Sequence, residues 1–388
     1  MADRLPENPW SRHGDLTAIV AALGEGNARY VGGAVRDTLL GIPVKDVDIA
    51  TPLIPDDVMA RLKDAAIQYV PTGIEHGTIT AVVPFGPVEI TTLRHDVSTD
   101  GRRATVAFAS DWKDDAARRD FTINALYAEP ETGEIFDWFG GLGDLAARRV
   151  RFIGDARQRI REDHLRILRY FRFQARFGSQ PIDEQSEVAC AELAPMLKGL
   201  SRERIGMEML NLLGLPDPAP TIARMAGLGV MTHILPEAEP RALAALVARE
   251  QSHGISPDPI RRLAALLPAQ PQLAEQVASR FRLSGAQKKR LVGAASREDV
   301  PEDARALAYR LGREQALDRL LLSGGDIRPI EGWDIPAFPL KGGEVVAAGV
   351  KAGPDVARVL QAVEQRWIAE HFPDRERVLD LLGEELRR

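Results

Sequence analysis

YVGGAVRDTLLGIPVKDVDIAT, residues 30–51, is the stretch on which the fold turns. Two strand-favouring residues lead into Gly32-Gly33, a helical pattern runs through Leu40, Gly41 and Pro43 end it, and Asp46-Val47-Asp48-Ile49 then alternates with the period of a strand. Residues two apart on a strand share a face, so Asp46 and Asp48 project together while Val47 and Ile49 turn the other way. Neighbouring carboxylates repel each other unless a cation lies between them. Mg²⁺ suits such a place, being held by one or two carboxylates plus substrate phosphates. Paired glycines that open a helix let a phosphate approach the backbone, and Arg36 in the following turn can reach the same anion. Neither a Walker loop nor a GxGxxG fingerprint is present. A DxD or a glycine pair by itself is common in ordinary turns; the two in succession point to metal-assisted phosphate chemistry.

Around this unit, residues 28–150 read as mixed α/β. β-rich runs at 28–31, 47–50, 78–83, 88–93 and 135–136 alternate with helices at 33–40 and 55–66. The polar segment 95–115 reads as a mobile loop with a short strand at 105–108. From Gln158 onward the apolar residues return at spacings of three and four, the helical period. The fold class is therefore α+β: a mixed-sheet head followed by an all-α arm. The 388 residues suffice for two to four domains.

Composition excludes several classes. One cysteine, Cys190, rules out an intramolecular disulfide framework and fits a reducing compartment. No run approaches the roughly 18–20 apolar residues that cross a bilayer, and the first residues lack the pattern of a signal peptide; a cytoplasmic enzyme without a membrane partner is expected. The net charge of −6 carries no sign of nucleic-acid binding. Its distribution does: residues 148–176 hold ten arginines against three acids, Asp155, Glu162 and Asp163, a local cationic band fit to hold a phosphate chain. An ordinary solvated helix face has the same composition.

The 30–51 segment resembles the signature of the nucleotidyltransferases of the DNA polymerase β superfamily, specifically the CCA-adding enzymes and bacterial poly(A) polymerases. Further motifs arrive in that family's order over about residues 28–210. The resemblance implies that Asp46 and Asp48 bind two Mg²⁺ ions, with Glu89 of PVEITTLR as a third carboxylate on a neighbouring strand; a solvent-facing strand glutamate reads the same way. RRDFTINALY (118–127) matches the second motif, offering Arg119 to a triphosphate and Asp120 and Asn124 to a ribose or neighbouring backbone. FDWFGGLGDL resembles the hinge between head and neck, with Gly140, Gly141 and Gly143 making a flexible joint.

EDHLRILRYFRF (162–173) resembles the family's base-recognition segment, which implies that role for Asp163 and Arg166. If it forms one helix, Asp163 and Arg166 are neighbours three apart. Cytosine and adenine both present an amino donor beside a ring-nitrogen acceptor, which a carboxylate and a guanidinium complement; uracil and guanine present the reverse. One Asp/Arg pair thus selects C and A without a nucleic-acid template, and Arg169 and Arg172 extend the cationic face toward the triphosphate or base. An intrahelical ion pair is the plainer reading. LSRERIGMEML resembles the motif that caps the neck, a brace with Ser201 as helix N-cap and Arg204–Glu208 as an i,i+4 pair.

The resemblance implies CTP and ATP as substrates and tRNA as partner. TGIEHGT (72–78) is similar to the CCA-adding pattern, which makes His76 a structural residue, and the loop RHDVSTDGRR (94–103) resembles the element that switches C to A addition, with Asp96 steering the pocket arginine. A poly(A) polymerase or A-adding enzyme is the nearest alternative; a non-catalytic RNA-binding protein retaining the fold is an alternative of another class. No His-Asp dipeptide lies in the C-terminal half, so no phosphohydrolase activity is expected there. The expected division is a catalytic head over 1–147, a neck over 148–200, a body over 201–255 and a tRNA-binding tail over 256–388, where Lys288–Arg290 forms a basic cluster for the tRNA elbow.

Overall fold

The computed structural model describes residues 3–100, 103–109, 111–297 and 303–387, with the backbone alone over 95–100 and 103–107. The chain folds as two compact units, residues 1–236 and 237–388. Their boundary falls inside the expected body segment.

In the first unit, α1 (Gly14–Leu23), α2 (Gly33–Leu39) and α3 (Pro55–Asp64) accompany a sheet of β1 (Arg29–Val31), β2 (Asp48–Thr51), β3 (Gln68–Gly73), β4 (Thr78–Val83), β5 (Gly86–Thr92), β8 (Leu126–Ala128) and β9 (Ile135–Asp137). The strand order is β3-β4-β5-β2-β1-β8-β9, with β2 and β5 parallel and the remaining neighbours antiparallel. β2 is thereby an inner strand, and burial alternates along it as the sequence pattern requires: Val47 and Ile49 are buried, Asp46 and Asp48 exposed. The strand proper begins at Asp48, so Asp46 sits just before it. Gly32 has φ +68, a conformation a side chain resists, and from it α2 starts. α3 opens on Pro55 with Asp56 and Asp57 in its first turn and closes with Arg61 and Lys63, both arrangements complementing the helix dipole.

The 95–115 segment differs from expectation. It is an antiparallel ribbon, β6 (Arg94–Asp100) with β7 (Arg103–Phe108), followed by α4 (Trp112–Ala117). The Asp96 side chain and residues 101–102 lie outside what is described.

α5 (Gly141–Ala146), α6 (Ala156–Glu162), α7 (Arg166–Phe177), α8 (Glu184–Leu193), α9 (Arg202–Leu213), α10 (Ala219–Gly227) and α11 (Met231–Ile234) complete the unit. α7 buries Ile167, Leu168, Tyr170, Phe171, Phe173 and Phe177 and turns an arginine stripe the other way. The expected hinge, FDWFGGLGDL (136–145), contains a hydrogen-bonded turn. Asp137 accepts from the amides of Gly141 at 2.8 Å and Leu142 at 2.9 Å, and Arg151 donates to the Phe139 carbonyl at 3.0 Å. Gly141 is there for close packing: a Cβ on it would lie 2.3 Å from the Thr122 carbonyl oxygen. Gly141→Ala therefore costs roughly 3 kcal/mol by overpacking and lowers the thermal midpoint by roughly 6–12 °C. Gly143→Ala, with open space around it, leaves the midpoint unchanged or raises it; differential scanning calorimetry of the two variants separates packing from hinge freedom.

Every described secondary-structure element of the second unit is a helix, from α12 (Pro240–Ser252) to the C-terminal Arg375–Leu386 helix. One core gathers on Trp367, with Val345, Val363, Val378 and Leu381. A second centre is charged: Glu250 accepts from Arg261 at 2.7 Å and Arg262 at 2.8 Å, and Asp318 accepts from Arg261 at 3.3 Å and Arg290 at 2.7 Å. The expected basic cluster at 288–290 is thus largely neutralised within the unit, since Arg290 also meets Asp258 and Glu314, and Lys288 meets Glu275. Among the described residues no helix is long and apolar enough to cross a membrane.

Candidate active site

β2 delivers Asp48 to the mouth of a cleft of about 850 Å³. Asp46 and Asp48 line it together with Gly32, Gly33, Arg36, Arg119, Asp163, Arg166, Arg169 and Arg172. Every residue on which the sequence placed catalysis or nucleotide binding is there except Glu89. That side chain stands on β5 directly across from Asp48 in the parallel register, exposed, and not among the cleft's lining. Its charge is still felt: the surrounding protein mass, Glu89 and Asp46 outweigh the pull of Arg119 and push the Asp48 carboxyl up to about 6. Such crowding of negative charge is relieved by a cation. Among the described residues no three or more His, Cys, Asp or Glu side chains are grouped to hold a metal, so the acid pair is a two-carboxylate site, a donor set that fits Mg²⁺ completed by substrate phosphates.

Beside the acids, one hydrogen-bonded network joins the glycine loop to the second motif. Arg36 is buried; it donates to Asp37 at 2.8 Å and to Asn124 at 2.5 Å, with its guanidinium 4.1 Å from the Phe177 ring centre. Asn124 donates to Asp120 at 2.9 Å, and Asp120 accepts from Arg169 at 2.8 Å. Burial alone would raise the Asp120 carboxyl; Arg169 and Asn124 outweigh it and hold it below the ordinary range. Gly32 stays close to this network: a Cβ there would lie 3.4 Å from Arg119. Arg119 donates to Tyr127 at 3.0 Å and Asp115 at 3.2 Å, and Arg118 to Asp115 at 2.8 Å. Asp120 and Asn124 thus bind neighbouring side chains and backbone.

The 162–173 segment is two helices, a correction to the single helix read from sequence. α6 ends at Glu162, Asp163 is extended at φ −151 and ψ 106, and α7 begins at Arg166. No hydrogen bond or ion pair joins the side chains of Asp163 and Arg166. Asp163 pairs with Arg204 of α9 at 2.7 Å, and Arg166 with Glu162 at 2.7 Å. Consequently the expected Arg204–Glu208 pair is also absent; Glu208 is buried and accepts from Arg172 at 2.6 Å. Ser201 stands at the N-cap of α9 but makes no capping hydrogen bond with its side chain. The arginine band of 148–176 is largely paired, Arg157 with Glu192 and Arg176 with Asp37 included.

Comparison with known proteins shows what the chain resembles. The Poly A polymerase head domain model matches residues 28–151, and a model described as a probable RNA and SrmB-binding site of polymerase A matches 181–241. The mitochondrial CCA tRNA nucleotidyltransferase 1 of Mus musculus is 35% identical over 358 residues, 87% of this chain and 82% of that protein. The chain belongs to the CCA tRNA nucleotidyltransferase family. The CCA-adding enzyme of Geobacillus stearothermophilus is 40% identical over 210 residues, 54% of this chain and 50% of that one. A crystal structure of the Bacillus stearothermophilus CCA-adding enzyme in complex with CTP superposes with a TM-score of 0.72 at 28% identity, covering 95% of this chain and 96% of that one.

Family membership makes the chain a nucleotidyltransferase, and the geometry adds residues that sequence reading passed over. Asp115 is buried and gathers Arg118, Arg119 and the Tyr127 hydroxyl, the last at 2.5 Å. Burial works to raise its carboxyl, yet the two arginines hold it low. Arg118, Arg94 and Phe173 also line the cleft. Their signal in the sequence was the first arginine of RRD and the aromatic in the arginine stripe. Arg94 donates to the His76 carbonyl at 2.6 Å, which gives that turn a structural use.

Proposed function

We propose that this chain adds C, C and A to the 3′ end of tRNA, taking CTP and then ATP, with release of pyrophosphate and no nucleic-acid template. The observation that carries the reading is the sharing of one cleft by the carboxylate pair and the Asp163/Arg166 pair. Two Mg²⁺ ions, held by Asp46 and Asp48 with Glu89 adding negative field, would supply the Lewis acidity that activates the 3′-hydroxyl and neutralises the departing pyrophosphate. Around them, Gly32 and Gly33 keep the backbone open to phosphate, and Arg119 meets the triphosphate. Arg36 braces this loop from beneath while presenting to the same cleft.

Base choice rests on Asp163 and Arg166. The carboxylate accepts from the exocyclic amino group and the guanidinium donates to the ring nitrogen, an arrangement common to cytosine and adenine and reversed in uracil and guanine. Arg169 and Arg172 border the base and phosphates. The head (1–147) and neck (148–200) carry the chemistry in this reading; the tail (256–388), which follows the body (201–255), holds tRNA. The buried single thiol of Cys190 fits a reducing compartment, of which the cytoplasm is one.

Purified protein, Mg²⁺ and tRNA lacking CCA, CA or A, with each nucleoside triphosphate supplied separately, test the proposal. Stepwise C, C, A and then arrest is expected. Long A tracts on arbitrary RNA would identify a poly(A) polymerase, addition confined to tRNA ending in CC an A-adding enzyme, and binding without extension an RNA-binding protein on the same fold.

A further inference from the structure

An acceptor and a donor that are to read a base edge side by side must not satisfy each other. Asp163 and Arg166 carry opposite charges three residues apart and line one cleft, yet their side chains form no ion pair. Each is tied elsewhere. The Asp163 Oδ2 accepts from Arg204 at 2.7 Å, and Oδ1 accepts from the Leu165 amide at 3.1 Å. Arg166 donates to Glu162 at 2.7 Å, to the Arg159 carbonyl at 3.0 Å and to the Arg118 carbonyl at 3.2 Å. Those three bonds use three of its five N–H groups. Each carboxylate oxygen of Asp163 keeps a second acceptor direction, so neither side chain is used up by its tether.

We infer that Arg204 is a specificity-determining positioning residue, holding the Asp163 carboxylate away from Arg166 so that both remain available to the incoming base. The inference rests on the base-reading assignment proposed above. Arg204 comes from a different helix, α9, lies outside the cleft lining, and touches no group on which the reaction runs. Its work is done through Asp163. The second carboxylate rotor of an aspartate is soft and roughly two-fold, and Asp163 sits in extended backbone between two helices rather than inside one. Cut loose, the carboxylate faces Arg166 and Arg169, both cationic, and pairs with them. The reader then neutralises itself. Glu208, one turn further along α9, performs a parallel task on Arg172 at 2.6 Å.

The test compares wild type, Arg204→Gln, Arg204→Lys, Asp163→Ala and Arg204→Gln/Asp163→Ala, reading kcat/KM for CTP and for UTP on tRNA lacking CCA, with thermal midpoints as the check on folding. Arg204→Gln lowers the CTP-over-UTP ratio at least about tenfold, Arg204→Lys restores most of it, and Arg204→Gln adds nothing once Asp163 is alanine. Equal losses from Arg204→Gln in both backgrounds, or lower activity with an unchanged CTP-over-UTP ratio, would make Arg204 a mere brace and overturn the inference. An unchanged ratio in Asp163→Ala itself would overturn the base-reading assignment and the inference with it. Should Arg204→Gln fail to fold, Arg204→Met decides: a lowered CTP-over-UTP ratio supports a positioning role, whereas equal losses with CTP and UTP oppose it.

Discussion

Asp46→Ala and Asp48→Ala each lower nucleotide incorporation by at least about 10³-fold, while tRNA affinity stays within a few-fold of wild type. Lewis-acid stabilisation of a developing charge is worth several kcal/mol, and each 1.36 kcal/mol is about a factor of ten in rate. Either acid removed leaves one carboxylate to hold a divalent cation against water. Single-turnover extension of tRNA lacking its terminal residues measures the first quantity, and filter binding the second. A pH series adds a signature. The Asp48 carboxyl is pushed up to about 6 from the usual 3.8, so protons compete with Mg²⁺ for it as the pH falls, and the Mg²⁺ concentration needed for half-maximal rate rises below about pH 6. The stability effect has the opposite sense. Between pH 3.8 and 6 the folded chain holds the proton that the unfolded chain has released, so stability falls as pH rises through that window. Asp48→Asn is therefore the more heat-stable protein above pH 6 without Mg²⁺ and matches wild type below about pH 4. Mg²⁺ raises the midpoint of wild type more than that of the variant.

The second large effect is on choice of base. Asp163→Ala lowers kcat/KM for CTP and ATP by about 10²-fold and brings CTP and UTP close together, because a site that rejects a base through misdirected polar groups loses its discrimination with the group that misdirects. UTP gains or holds as CTP falls, which distinguishes lost recognition from general damage. Initial rates with the four nucleoside triphosphates, each on the same tRNA, provide the measurement.

The catalytic half of this site was legible from local pattern. A glycine pair, a helix stop at Gly41-Ile42-Pro43 and strict alternation around Asp46–Asp48 are short-range signals, and β1, α2 and β2 formed where they pointed. Residues fixed by distant partners were not legible. REDHLRILR contains no glycine or proline to mark the break at Asp163; that break goes with Asp163 meeting Arg204, 41 positions away. Arg172 found Glu208 across 36 positions, and Arg290 found Asp318 across 28, partners that no local pattern announces. β3 contains Pro71 and ends on Gly73, and β8 spans only Leu126–Ala128, so neither offered the length a strand pattern needs. Of the 94–108 ribbon only the strand at 105–108 was legible; β6 was missed because its polar residues show no apolar face to alternate.

Soaking or cocrystallising the protein with Mg²⁺ and CTP is the most direct measurement of the central claim. The account predicts the triphosphate over Asp46 and Asp48, with the cytosine amino group at Asp163 and its ring nitrogen at Arg166. A nucleotide whose base points away from α7 while its phosphates sit on the two acids would contradict it.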